Sequence, residues 1–424
     1  MLEVSTLTEY AERARHAARS LSHCSSEVKS AILRDLADRL TDQQDRILAA
    51  NAGDLADARR VGMDEALVDR LLLSEPRLEA MAADVRRVAE LPDPVGEELD
   101  ERVLPNRLVV KRRRVPLGVI AVVYESRPNV TIDVSALCIR SGNAVILRPG
   151  KESRRSSTAL AELARLALAA HGAPADGVQL IHDPDRALVA DLVRMRGQID
   201  LVVPRGGAGL IEFVRDHAQV PVVAGGIGVC HTYVHADADP AMALEIVHNA
   251  KTRRPSVCNA LDTVLVHRQI APAFLPRLAA RWREVPVEMR CCPDALRLLE
   301  AQVGPGPWIA ATPDDFGREF LALRAAVKIV DSMQEAIDHI ERYGSGHSEA
   351  IVTESGDAGR EFLERVDAAA VYVNASTGFT DGAQFGLGAE LGISTQKLHA
   401  RGPIGLRELT SYKWVIEGTG QIRE

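Results

Sequence analysis

GVIAVVYESRPNVTIDVSALCIRSGNAVILR, residues 118–148, decides the fold. GVIAVVYE (118–125) is a continuous apolar, β-rich run, the pattern of a strand buried on both faces. NVTIDVSALCIRSG (129–142) fits a helix closed by Gly142. NAVILR (143–148) is a second short apolar strand. Strand, helix, strand in succession means a βαβ unit and a parallel sheet. The alternation continues with the amphipathic helix 153–172, the strand VQLIH (178–182) and a helix over 183–197 opened by an Asp cap. DLVVPR (200–205) runs into the helix GGAGLIEFVRDH, and VPVVAG (220–225) reads as a further strand. An open α/β nucleotide-binding layout is expected.

A second α/β block follows GGIGVCHTYVH (225–235). Its first helix, 237–254, leads towards Cys258. The strand LDTVLVH (261–267), a helix over 271–284, the strand KIVD (328–331), a helix over 332–344, EAIVTE (349–354), a helix near 357–366 and AAAVYVN (368–374) complete it. Upstream, residues 6–92 read as helices. RLVVKRRRVP (107–116) is a strand excursion, and the charged run KRRR (111–114) marks it as an exposed or edge strand. The terminal ELTSYKWVIEGTGQIRE (408–424) closes as a strand.

Composition narrows the function. A chain of 424 residues suggests two to three domains of about 150 residues each. With 46% hydrophobic and 26% charged residues it is neither disordered nor membrane-like. A net charge of −8 and 4% aromatics argue against a nucleic-acid partner. The N-terminal segment is helical and charged, without the apolar core of a signal peptide, so the expected compartment is the cytoplasm. Six cysteines without a CxxC pair make neither a disulfide framework nor a metal site.

Four places can carry chemistry. RGGAGL (205–210) joins a strand to a helix, and Gly206 and Gly207 allow a phosphate to approach the helix N-terminus; a tight turn explains them as well. Arg148 and Lys151, in RPGKES, stand at the C-terminal end of a strand, where open sheets bind nucleotides. Cys258 follows Lys251, Arg253, Arg254 and Pro255. Positive charge lowers a thiol's pKa, but a cysteine is more often a small apolar filler. The glycine-rich segment 373–403 is long and polar for a connector, and its His399 is more often structural than catalytic.

These same segments resemble a known family. DLVVPRGGAGL, GGIGVCH, NAKTRRPSVCNALDTVLVH, GHSEAIVTE and GLGAELGISTQKLHARGPIGL, with the opening stretch, resemble the gamma-glutamyl phosphate reductases (glutamate-5-semialdehyde dehydrogenases) of the aldehyde dehydrogenase superfamily, in order along the chain. The resemblance implies an aldehyde-dehydrogenase-like fold of two open α/β domains with mainly parallel sheets. It places a cofactor domain at 1–101 and 117–231, a catalytic domain at 232–396 and a small β oligomerisation element at 102–116 and 397–424. It implies NADPH-dependent reduction of L-glutamyl 5-phosphate to the 5-semialdehyde in proline biosynthesis.

Cys258 matches the family nucleophile and Glu319 the glutamate on the nicotinamide ribose. Arg148 and Lys151, with Gly206 and Gly207, fall on the cofactor side. Asn129 is the candidate oxyanion amide. Lys251, Arg253, Arg254 and Ser256 are candidates for substrate and phosphate. A homodimer or dimer of dimers is implied, with a glutamate kinase as a possible partner.

Ala224 stands where hydrolytic members carry a general-base glutamate, so no base activates water against a thioester. Two positions depart from the family pattern: Gly378 replaces the arginine of NASTRFTDG, and Pro149 replaces a glycine of RGGKE. They leave open a specialised relative acting on a modified or carrier-bound glutamyl phosphate.

Overall fold

In a computed structural model of the protein, residues 2–183 and 185–423 are described. Contacts group them into two units. The first runs to Gly225 and takes in Gly386–Gly392 and the chain from Leu398; the second is Gly226–Phe385 with Ile393–Lys397.

In the first unit, helices Leu2–Leu21, Ser26–Asp42, Gln44–Arg60, Glu65–Leu71 and Glu75–Glu90 precede the sheets. Strands β1 (Glu98–Val103) and β2 (Val109–Pro116) form an antiparallel pair, completed on the other side of β2 by the C-terminal strand Thr410–Glu417. KRRR therefore lies on the central strand, not on an edge as its charge suggested. Acidic β1 explains the difference: Lys111 pairs with Glu101 at 3.1 Å, Arg112 with Asp100 at 2.6 Å and Arg113 with Glu98 at 2.8 Å. Arg112 also stacks over Tyr412, 4.8 Å from the ring centre.

The parallel sheet of this unit holds β3 (Val119–Tyr124), β4 (Ala144–Pro149), β5 (Val178–Leu180) and β6 (Leu201–Arg205), in the order β5-β4-β3-β6. β3 and β4 are buried at every position, which is why their runs are unbroken by polar residues. Helix Val130–Arg140 between them is buried nearly all round. Gly142 ends it at φ +74, and a Cβ there would meet Pro116 at 2.9 Å.

Two expectations are corrected in this unit. VPVVAG is no strand and has only isolated bridge positions, among them a parallel bridge of Val202 to Val222. The helix expected over 183–197 spans only Ala187–Leu192, with Asp185 accepting from the Ala187 N–H at 2.9 Å; Pro184 lies outside the described residues. Residues 386–392 group with this unit rather than with the second. Leu391 N–H donates to Ile404 O and Ile404 N–H to Gly392 O, both at 2.8 Å.

The second unit is a seven-stranded parallel sheet of β7 (Cys230–Val234), β8 (Leu261–His267), β9 (Glu288–Cys291), β10 (Trp308–Ala310), β11 (Arg324–Val330), β12 (Ser348–Val352) and β13 (Ala370–Val373). Its order is β10-β9-β11-β8-β7-β12-β13. Two apolar clusters bury its faces. Phe274, Leu278 and Trp282 anchor one, and Tyr233, Ile337 and Phe362 the other. Helices on both faces of parallel strands leave the strand ends and the loops between them for chemistry.

Candidate active site

Cys258 sits in the loop between helix Pro240–Thr252 and β8. The helix starts on Asp239, whose carboxylate accepts from the Ala241 N–H at 2.9 Å. It stops two residues before Arg254, because Pro255 disfavours helical backbone in the residue before it. The next residue, Asn259, fixes the loop. Its amide donates to Thr380 O at 2.9 Å and to Gly378 O at 3.4 Å, and Thr377 Oγ1 donates to Asn259 O at 2.8 Å. Part of the glycine-rich segment is thus the wall against which the Cys258 loop is held. Behind that wall, Thr380 Oγ1 contacts Tyr372 OH at 2.7 Å and Ser348 Oγ at 2.6 Å. Ser348 in turn contacts His347 Nδ1 at 2.7 Å.

Gly228 joins two candidates that lie far apart in sequence. Its N–H donates to Glu319 Oε1 at 3.0 Å. A Cβ on it would stand 1.7 Å from the Cys258 carbonyl oxygen, so only glycine lets the two backbones come this close. The Cys258 carbonyl also accepts from Cys230 Sγ at 3.2 Å. Burial raises the Cys230 thiol well above its ordinary pKa, which keeps the proton that this bond uses.

The other cysteines explain why Cys258 stands apart. Cys138, Cys230 and Cys291 are buried, and burial pushes Cys291 up to about 12. Cys24 is raised by burial as well. Cys292 is occupied as a helix cap, its sulfur accepting from the Ala295 N–H at 3.5 Å and from the Ile329 N–H at 3.4 Å. Cys258 is partly exposed and belongs to a loop.

The basic residues before Cys258 do not act as one group. Lys251 is fully buried, 3.4 Å from Asp262, and cannot present its ammonium to a substrate at the surface, as the sequence had suggested. Burial lowers Lys251 and pushes Asp262 up to about 6, because the single contact does not offset the lost hydration of both ions. Asp262 also accepts from the Phe320 N–H at 3.0 Å, which ties this pair to the segment bearing Glu319. Arg253, Arg254 and Ser256 are exposed. Arg253 donates from Nη2 to Gly378 O at 3.3 Å.

The first unit holds the remaining candidates. Arg148 is the penultimate residue of β4, buried, with Nη1 donating to Pro149 O at 3.2 Å and Nη2 to Asp185 O at 3.1 Å. Together with Gly150, Lys151, Arg186 and the acids Glu125, Glu152, Asp183 and Asp185 it lines a cavity of about 540 Å³. This donor set fits a nucleotide: cations for phosphate, carboxylates for ribose hydroxyls, at the carboxyl ends of parallel strands. The glycine turn differs from expectation. Gly207 N–H donates to Glu125 Oε2 at 3.2 Å, and a Cβ on Gly206 would lie 2.5 Å from the same oxygen. A carboxylate of the protein already stands at this helix N-terminus, where a phosphate would meet like charge. Asn129 is exposed and donates to Asp133 Oδ2 at 2.9 Å; burial pushes Asp133 up to about 6 against that bond. His399 contacts Glu408 O at 2.8 Å, a structural role.

Sequence reasoning missed Gly228, Asn259, Thr377 and Thr380. Their adjacency depends on strand order. Only the glycines of GGIG and the neighbour position of Asn259 hinted at it.

Comparison with known proteins gives the family. A model of the aldehyde dehydrogenase family matches residues 3–305. The gamma-glutamyl phosphate reductase of a Dehalococcoides mccartyi strain is 56% identical over 417 residues, 98% of each chain. That of Moorella thermoacetica is 51% identical over 424 residues, 100% of this chain and 99% of its own. The crystal structure of gamma-glutamyl phosphate reductase from Thermotoga maritima is 44% identical, with a TM-score of 0.95 over 99% of this chain and 100% of that one.

Proposed function

The chain belongs to the aldehyde dehydrogenase family, in its gamma-glutamyl phosphate reductase branch, and from that premise we propose how its residues divide the work. The reaction is the reduction of L-glutamyl 5-phosphate to L-glutamate 5-semialdehyde and phosphate, a step of proline biosynthesis. The observation that carries the assignment of residues is the Cys258 loop, pinned by Asn259 on one side and abutting Gly228 on the other.

Cys258 attacks the acyl carbon as a thiolate. The new S–C bond forms as the C–O bond to phosphate breaks, and phosphate leaves with the electron pair. A reduced nicotinamide supplies the hydride that the resulting Cys258 thioester needs. The tetrahedral thiohemiacetal then collapses, expelling the Cys258 thiolate and releasing the aldehyde. Asn129 gives one amide hydrogen to Asp133 and has a second for the developing oxyanion. Arg253, Arg254 and Ser256 receive substrate oxyanions, and Lys251 holds the loop's base through Asp262. Glu319 orients the nicotinamide ribose.

Arg148 and Lys151 hold the far end of the cofactor, and with Arg186 they favour a phosphorylated ribose, hence NADPH. Ala224 offers no base to water, so the thioester persists until hydride arrives. The exposed stripe of Tyr412, Trp414 and Ile416 on the three-stranded sheet supports assembly as a homo-oligomer. No observation favours a modified substrate.

The reaction run in reverse tests the assignment. Glutamate semialdehyde, phosphate and NADP should yield NADPH. Cys258→Ala should abolish turnover while NADPH still binds; normal turnover in that variant would remove Cys258 from the mechanism.

A further inference from the structure

Ser126 follows Glu125, which lines the cavity of the first unit, and it has left-handed backbone at φ +48. A serine in that region costs free energy unless something holds it there. The holder is Glu152. Its Oε1 accepts from the Ser126 N–H at 2.6 Å and from Ser126 Oγ at 3.0 Å. Glu152 lies in the single turn Lys151–Ser153, between β4 and the helix Arg154–Ala170. Gly150 leaves its carboxylate room to fold back, since a Cβ there would lie 2.1 Å from the same oxygen.

Both ends of this clamp carry walls of the cavity. On one side Glu125 accepts from the Gly207 N–H at 3.2 Å. On the other, Gly150 and Lys151 line the cavity directly before Glu152. Gly150 N–H also donates to Tyr124 O at 2.7 Å, across the two turns. That backbone bond sets their spacing. The bonds to Glu152 set the rotation of the chain at Ser126.

We infer that Glu152 is a positioning residue of the cofactor cavity: its carboxylate holds Ser126 in left-handed backbone and so fixes the wall of Glu125 against that of Gly150 and Lys151. This rests on the cofactor assignment proposed above. Among the acids of the cavity Glu152 has a separate task. Its Oε1 is engaged by Ser126, so it acts on the cofactor through the loop rather than by accepting from a ribose hydroxyl. Without the clamp Ser126 relaxes to ordinary backbone, and binding has to restore the left-handed turn. Restoring it weakens affinity by about 5–30-fold.

The test is titration of NADPH into the full chain, followed by nicotinamide fluorescence, with urea unfolding as the check on folding. Glu152→Ala should weaken NADPH about 5–30-fold. Adding Ser126→Gly should return it to within about threefold of the parent, because glycine adopts left-handed backbone without steric cost. A cofactor ligand lost at position 152 would not be regained that way. Should Glu152→Ala not fold, Gly150→Ala carries the same comparison. Gly150 has φ −61, which alanine adopts without strain, and the new methyl displaces the Glu152 carboxylate from Ser126. Its loss of affinity should likewise be recovered by Ser126→Gly. Unchanged affinity in the folded single variant, or no recovery in the double one, would overturn the inference alone. A parent that does not bind NADPH would overturn the cofactor assignment and the inference with it.

Discussion

Replacing Gly228 by alanine tests the close approach of two backbones in the second unit. The new Cβ would stand 1.7 Å from the Cys258 carbonyl oxygen, 2.5 Å from its carbon and 2.8 Å from its Cα. Ordinary contact between a carbon and an oxygen needs about 3.4 Å, so the backbone of Cys258 or of Gly228 has to yield by roughly 1.7 Å. Backbone on both sides leaves no flexible side chain to absorb it. A misplacement of about 1 Å at a reacting group costs on the order of 100-fold in rate. Overpacking costs about 1–3 kcal/mol, less than the 5–15 kcal/mol typical of a folded domain. Gly228→Ala should therefore stay folded and lose at least about 100-fold in kcat. The assay is NADPH formation in the reverse reaction, with urea unfolding as the control and the rate of Cys258 alkylation as a local probe. A folded Gly228→Ala variant with kcat within about threefold of the parent would refute the reasoning, since a 100-fold loss is expected.

Two further outcomes follow from the same unit. Glu319→Ala leaves the buried Gly228 N–H without its carboxylate and should cost about 1–3 kcal/mol in urea unfolding. Glu319→Gln, which keeps an acceptor, should restore stability yet raise the KM for NADP; an unchanged KM would leave Glu319 only its structural bond. Burial lowers His347 to about 4 and His339 to about 3. The unfolded chain takes up these protons near pH 6.5 and the folded one does not, so stability should fall as pH drops from about 6.5 towards 4. Each histidine contributes up to about 1.4 kcal/mol per pH unit, and His347→Gln should flatten the slope measured between pH 7 and 5 by its share.

The strands β3 and β4 were legible because burial on both faces writes an unbroken apolar run into the sequence. VPVVAG has the same run and forms only isolated bridges, since pairing depends on neighbours that a local window does not contain. The charge of KRRR was legible, but its neutralisation lies in Glu98, Asp100 and Glu101 on another strand. Cys258 was legible only through resemblance. Its support from Gly228, Asn259 and Thr380 comes from segments that strand order alone brings together. Lys251 and the Gly206–Gly207 turn show the converse. Residue type suggested ligand contacts, while burial beside Asp262 and the Glu125 carboxylate provide internal partners instead.

The charge ladder between β1 and β2 also bears on the choice of register. Opposite charges face one another in the register Glu98–Arg113, Asp100–Arg112 and Glu101–Lys111. A sliding error by one residue would turn each side chain to the wrong face of the ribbon and misalign these pairs. The charges thus select the same register as the backbone ladder does. The strand Thr410–Glu417 pairs with the other side of β2. Without that strand β2 would present an open edge lined with arginine and lysine, a composition that resists pairing with a stray strand.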